Sequence, residues 1–209
     1  MVVTDKKEAA FERLEKTFFK EILQYVVFFS FGRKRGTISE VKHEWKIKIR
    51  EHNTMSLEKA KKYLKERGYA DHIIELEQSS ATVLLAAEAL GVEEGMIAKT
   101  MSFLQNDMTV LIVTEGTARI DNRKYKDTFH TKAKMIPFDE VEYYIGHAPG
   151  GVCPFGIKEG IKVYLDESLK KFDVVYPAAG NDHSAVKLTI AELEDACGNV
   201  EWVDVCKEQ

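Results

Sequence analysis

The chain has 209 residues, enough for one well-packed domain with an appendage but short for two full enzyme domains. Its 44% hydrophobic and 31% charged content excludes a disordered chain, and a formal charge of -4 excludes broad electrostatic capture of nucleic acid or anionic membrane by the whole molecule. The longest apolar run, Tyr25 to Phe31, is too short to span a bilayer, the start lacks the arrangement of a signal peptide, and three cysteines at no metal-type spacing disfavour a disulfide framework or zinc site.

The charge is unevenly spread. Residues 1–54 carry a net +4 and residues 55–209 a net -8, so a composition break falls near Met55. Before it, Phe11, Leu14, Phe18, Ile22, Tyr25 and Phe29 recur at spacings of three and four, which predicts a helix over about 4–31. Gly32 and Gly36 bracket Arg33-Lys34-Arg35 as a loop, and Trp45–Arg50 alternates apolar and basic like a half-exposed strand. A piece of this size buries little core alone, so the expected readings are a solvated or oligomer-contact surface, an RNA-binding arm, or residues upstream of a natural start at Met55.

From Met55 the pattern predicts an α/β alternation. Ser56 is expected to cap a helix bearing Leu57, Ala60, Tyr63 and Leu64 and ending at Gly68, followed by a strand over His72–Leu76. Thr82 opens a second helix that stops at Gly91, and Ile97–Leu104 with Met108–Thr114 reads as a hairpin around Asn106-Asp107. Asp121 and Asp139 are predicted helix N-caps, the second with Glu142 in capping-box spacing. Strands are expected over Ile161–Asp166, Asp173–Tyr176 and Ala185–Leu188, and Thr189 with Glu192 forms a capping box for a final helix to Cys197.

Two features carry candidate chemistry. Gly146-His147-Ala148-Pro149-Gly150-Gly151-Val152-Cys153-Pro154-Phe155-Gly156 holds four of thirteen glycines and two of four prolines. Such a loop either turns backbone N–H groups into a cavity, as a nest for a carbonyl, oxyanion or phosphate, or simply connects a helix to a strand. Lys99 interrupts an apolar strand on the face of Ile97 and Met101, where a lysine needs a partner or a function unless that face is exposed. Cys153 reads as a packed thiol rather than a nucleophile, although His147 is nearby; His130, His147 and His183 make no metal motif.

Residues 55–206 resemble the YbaK/EbsC-type family, the domain associated with prolyl-tRNA synthetase editing and its free-standing relatives. The resemblance rests on Ser80-Ala81-Thr82-Val83, Ile97-Ala98-Lys99-Thr100, Ile120-Asp121-Asn122-Arg123-Lys124-Tyr125, the glycine loop, Val163-Tyr164-Leu165-Asp166 and Ala178-Ala179-Gly180-Asn181, in that order. It implies an α+β fold: a mixed, curved, barrel-like β-sheet surrounded by helices, as a domain over 55–209 behind a helical, basic extension over 1–54. The implied activity is hydrolysis, in trans, of the ester joining a wrong amino acid to tRNA, without metal or cofactor, in the cytoplasm. Lys99, Gly150 and Gly151 are then the expected catalytic set, and Thr82, Gly146, Val152, Cys153, Pro154, Phe155, Gly156, Gly180 and Asn181 the substrate-binding set. The expected partner is the acceptor end of an aminoacyl-tRNA, with an aminoacyl-tRNA synthetase as a further partner and no membrane. An activated ester needs positioning and oxyanion stabilisation rather than a catalytic triad, and none is visible. The alternative is a non-catalytic module that binds a tRNA end or aminoacyl nucleotide. Cysteine-specific members carry Ser-Gly-Gly and basic residues where this chain has Ala178-Ala179-Gly180-Asn181-Asp182-His183-Ser184, so the resemblance does not extend to cysteinyl specificity.

Overall fold

The computed structural model describes residues 54–207 except Asp107, all within the unit Glu51–Gln209. The helix and basic strand predicted before residue 51 lie outside the described residues.

Helix α1 covers residues 54–66 and buries Leu57, Ala60 and Leu64 as its spacing predicts. Ser56 is not its cap: the helix is already formed at residue 54, and the Ser56 hydroxyl instead donates to the Gly146 carbonyl at 3.4 Å. Strand β1 (Ile73–Glu75) and helix α2 (Val83–Leu90) follow, α2 capped by Thr82, whose Oγ1 accepts from Leu85 N, and closed by a left-handed Gly91. Strands β2 (Ile97–Gln105) and β3 (Met108–Thr114) form the predicted antiparallel hairpin, and α3 (Asn122–Phe129) starts on the Asp121 carboxylate. Asp139 does not cap the next helix. A 3-10 turn, Phe138–Glu140, precedes α4 (Val141–Ile145), which has no side-chain cap.

Strand β4 (Lys162–Asp166) ends on Asp166, which caps the following turn by accepting from Ser168 N at 3.0 Å. Strand β5 (Val174–Pro177) matches the predicted segment, but the run Ala185–Leu188 divides. Its first half, β6 (Ser184–Val186), pairs with β1, while β7 (Leu188–Thr189) pairs with β5. The Thr189–Glu192 capping box forms and opens α5 (Ile190–Cys197), and a short strand not expected from sequence, β8 (Glu201–Val203), completes the order.

The main sheet has the order β7-β5-β2-β3-β4-β8, with antiparallel β2–β3 and β5–β7 pairs and parallel β2–β5, β3–β4 and β4–β8 pairs. It curls into a six-stranded half-barrel with helices on both faces, so the expected α+β class and curved mixed sheet hold. Strand alternation separates the two faces. Ala98, Val113, Leu165 and Val175 meet α1 and α5 in the largest core cluster. On the other face Phe103, Val110, Ile112 and Tyr164 pack with Tyr125 of α3, and Ile97 packs with Ala86 and Ala87 of α2. Lys99 belongs to this second face, in the interval between α2 and α3 (Phe103–Tyr125 ring centroids 5.1 Å).

Candidate active site

Lys99 is half-buried, and its Nζ donates to the carbonyls of Gly116 at 3.0 Å and Ala118 at 2.6 Å. Two of three N–H bonds are thereby spent on a rigid turn, which aims the third. The turn is shaped by Glu115, 3% exposed, whose carboxylate accepts from Thr117 N at 2.7 Å and Thr117 Oγ1 at 2.9 Å. Burial holds the Lys99 pKa below its ordinary value; the Glu115 carboxylate opposes that shift, and the Arg119 guanidinium adds to it. A lysine that interrupts an apolar strand is thus accommodated by two carbonyls and one buried counter-charge.

Gly116 links this lysine to α2. A Cβ there would lie 2.8 Å from Val83 Cγ1 and would also overlap the Glu94 carbonyl, so only glycine lets the turn approach the helix start. By the same helix start, a Cβ at Gly150 would be 3.4 Å from Ala81 Cβ and 3.6 Å from Asp182 Cβ. Gly151 lies on the backbone of Gly180 and Asn181, with no room for a Cβ. Thr82, Gly150, Gly151, Gly180 and Asn181 are therefore brought to the N-terminus of α2, against which Gly116 of the Lys99 turn also packs.

The glycine loop is not uniformly available. Gly151 N–H donates to the Ala148 carbonyl at 3.1 Å, so that amide stabilises the loop itself. Among the described residues the half-buried Gly150 and Val152 amides have no intramolecular acceptor, and these are the donors the loop can present. Cys153 and Phe155 are fully buried in the large core cluster and hold the loop from behind. Gly156, at φ +65, packs on the Lys59 carbonyl of α1, and Gly146 receives the Ser56 hydroxyl, so both anchor the loop's ends. Pro154 is buried in the same bend.

Cys153 Sγ is 3.5 Å from His147 Nδ1, yet burial pushes the thiol up to about 12 and the imidazole down to about 4. Both are neutral at physiological pH. The pair is unsuited to a thiolate–imidazolium nucleophile.

Asn181 is 9% exposed, and its Oδ1 accepts from His183 N at 3.0 Å and Ser184 Oγ at 2.6 Å, leaving its amide NH2 as the group able to meet a ligand. Two residues outside the expected site set join the same rim. His183 Nδ1 lies 2.9 Å from Asp182 Oδ1, an orientation that turns Nε2 outward from a side chain 48% exposed. Ser80 donates its N–H to Asp182 O at 2.6 Å, while its buried Oγ has no partner among the described residues. The signal for both was local: Ser80 opens the motif before the helix cap, and Asp182-His183 follows Asn181 directly. No group of three or more His, Cys, Asp or Glu among the described residues is disposed to hold a metal, and no helix among them is long and apolar enough to cross a membrane.

Such an arrangement offers a fixed cation, free backbone donors and an oriented imidazole around one helix start, the equipment for stabilising charge on a carbonyl oxygen. Comparison with known proteins identifies the family. Over 155 residues the chain is 44% identical to "Uncharacterized protein YwhH" of Bacillus subtilis (strain 168), covering 74% of this chain and 99% of that one. It is 30% identical over 104 residues to "Putative Cys-tRNA(Pro)/Cys-tRNA(Cys) deacylase EbsC" of Enterococcus faecalis (strain ATCC 700802 / V583), covering 49% of this chain and 63% of that protein. A solved structure described as "Crystal structure of a putative trans-editing enzyme for prolyl tRNA synthetase" superposes with a TM-score of 0.67 at 28% identity, over 73% of this chain and 98% of the other. Residues 77–196, which span α2, the Lys99 hairpin, the glycine loop and the Asn181 turn, match the family described as "Aminoacyl-tRNA editing domain", and the chain belongs to that family.

Proposed function

We propose that the protein is a free-standing deacylase that hydrolyses mischarged aminoacyl-tRNA in trans, in the cytoplasm, without a protein nucleophile. The observation that carries this reading is the convergence of Lys99, the Gly150–Val152 loop and Asn181 on the start of α2, in a chain of the editing family. The aminoacyl ester carbonyl is polarised by the free Gly150 and Val152 amides. Water adds to the carbonyl carbon, and the tetrahedral oxyanion is held by those same donors. The remaining N–H of Lys99 binds the terminal ribose or the departing 3′ oxygen. Collapse breaks the acyl–oxygen bond, returns the proton from the attacking water to the 3′ oxygen, and leaves a free amino acid and intact tRNA. His183, oriented by Asp182, is placed on the rim to relay that proton.

Small editing pockets discriminate by shape, a methylene being worth about 1–3 kcal/mol, which is why a second hydrolytic step is needed after synthesis. A synthetase that releases the mischarged tRNA is the natural partner. The test is a panel of mischarged tRNAs incubated with the parent protein and with Lys99→Ala. Hydrolysis of at least one, with kcat/KM reduced about 100-fold or more in Lys99→Ala, is expected. Release no faster than the spontaneous rate across the panel, with binding retained, would replace this reading by that of a non-catalytic tRNA-end module.

A further inference from the structure

We infer that the outward side of α3 and the segment after it form the surface along which the phosphates of the tRNA acceptor stem lie, with Arg119, Arg123, Lys126, Lys132 and Lys134 as the contacts. This rests on the tRNA reading above and says where the nucleic acid runs once its 3′ end is at Lys99. Residues 55–209 carry 18 Lys and Arg against 26 Asp and Glu, yet residues 119–134 hold six of those cations and only two acids. The acidic domain therefore carries a local basic strip here, which the overall charge conceals; the basic stretch Lys59–Arg67, in α1 and just after it, is a second, from which Lys65 of the control is drawn.

The strip is exposed and poorly neutralised. Arg119, Arg123, Lys126, Lys132 and Lys134 are all exposed. Lys124, by contrast, is half-buried and pairs with Asp204 at 2.8 Å, a structural role. Arg123 reaches Asp127 only at 3.9 Å with both side chains largely in solvent (91% and 71% exposed), a contact worth little. Arg119, Lys126, Lys132 and Lys134 have no ion-pair partner among the described residues. Packing does not demand them: Tyr125 and Phe129 anchor the helix, Arg123 and Lys126 are exposed on it, and Arg119, Lys132 and Lys134 are exposed on the segments that flank it.

Position relates the strip to the site. Tyr125 packs on Phe103, and Phe103 shares a sheet face with Lys99 four residues along β2, about 13 Å away. Arg119 follows Ala118, whose carbonyl holds Lys99 Nζ, and its charge acts on that lysine directly. Beyond the left-handed turn at His130, the chain is tied to β2: Leu104 N donates to Lys134 O at 2.9 Å and Ile136 N to Ser102 O at 3.1 Å. The cations thus stand on a segment that starts at the turn holding Lys99, passes through α3 and is tied back antiparallel along β2 at Leu104 and Ser102. A phosphate backbone leaving the site can lie along such a segment. Phosphate contacts position a nucleic acid without reading sequence, which suits an enzyme that meets the end of a stem.

The experiment measures binding, not turnover, so that it is independent of hydrolysis. A deacylated RNA hairpin copying an acceptor stem with its single-stranded 3′ end is titrated with the full-length protein at 50 to 200 mM salt. The test variant is Lys126→Gln/Lys132→Gln/Lys134→Gln; Lys65→Gln/Lys171→Gln, exposed on other elements, is the control, and melting temperature monitors folding. The triple variant is expected to bind about tenfold or more weakly at 100 mM salt and to lose about 2 to 3 from the slope of log K against log salt, while the control follows the parent. Parent-like affinity and slope in the triple variant, an equal loss in the control, or no hairpin binding by the parent at 50 mM salt would each overturn the inference. If the hairpin result is as expected but no mischarged tRNA is hydrolysed, the surface stands and the deacylase reading falls. If deacylation is observed and the triple variant binds as the parent does, the reverse holds.

Discussion

His147 shows what burial does to one side chain. It is fully buried beside Cys153, and its Nε2 has no hydrogen-bond partner among the described residues. Desolvation lowers its pKa from 6.5 to about 4, so the folded state resists the proton that the unfolded chain accepts. The sign follows: this contribution to stability is whole above pH 6.5 and is lost as pH falls through the interval to about 4, amounting to about 3 kcal/mol. Urea unfolding of the parent and of His147→Gln at pH 7, 5.5 and 4 should give a steep acid loss in the parent and a flatter one in the variant. Parallel curves would show that the imidazole carries no such penalty. The position of Lys99 could be read from the sequence as an anomaly in an apolar strand. Its partners could not, because the Gly116 and Ala118 carbonyls are backbone groups that any sequence would carry; only the turn imposed by Glu115 and Thr117 points them at Nζ.

Among the elements, the glycine loop and the turn that follows it at Gly160 separate two meanings of glycine. Gly160 has φ +81 and open space around it, so its need is conformational; at Gly151 no positive φ is involved and the need is room against Gly180 and Asn181. Gly151→Ala is accordingly expected to displace the loop, cost about 1–3 kcal/mol and reduce deacylation at least about tenfold. Gly160→Ala should cost about 1–2 kcal/mol through backbone strain alone and leave deacylation at the parent level. Denaturant melts combined with the deacylation assay check this, and equal activity in the two variants would remove the loop from the site. Local signals fixed several elements in advance. Thr82, Asp121 and Thr189 cap their helices because a short side-chain oxygen meets orphan N–H groups wherever a helix begins. Asp139 carries the same signal and fails, because the 3-10 turn Phe138–Glu140 occupies the place where the cap would act. Ser56 fails for the opposite reason, being already inside a helix and buried against Gly146.

For the molecule as a whole, the division of charge near Met55 falls close to the boundary between the units Met1–Arg50 and Glu51–Gln209. Among the described residues four core clusters are assembled from Leu57 to Val205, by helices covering both faces of the curled sheet. A chain beginning at Glu51 should therefore keep a cooperative thermal transition and the far-ultraviolet dichroism of an α+β domain, measured beside the full-length protein. Loss of the transition would mean that residues 1–50 complete the fold. The domain's net negative charge does not prevent an RNA role, because attraction within about a Debye length, 10 Å at 0.1 M salt, depends on the local strip rather than on the sum.

The sequence alone determined the hairpin Ile97–Thr114 and the helix starts at Thr82, Asp121 and Thr189, since all of these depend on neighbours within a few residues. The parallel pairings β2–β5, β3–β4 and β4–β8 were beyond it, as was the split of Ala185–Leu188 between two sheets, because each joins strands distant along the chain. Tertiary structure also decided which amides of the glycine loop are free, turned Cys153 inward as an inert thiol, and packed α3 on the sheet face that carries Lys99. Periodicity and capping are local physics and can be read along the chain. The direction of a hydrogen bond, the space beside a glycine and the field at a lysine depend on what the fold brings next to them.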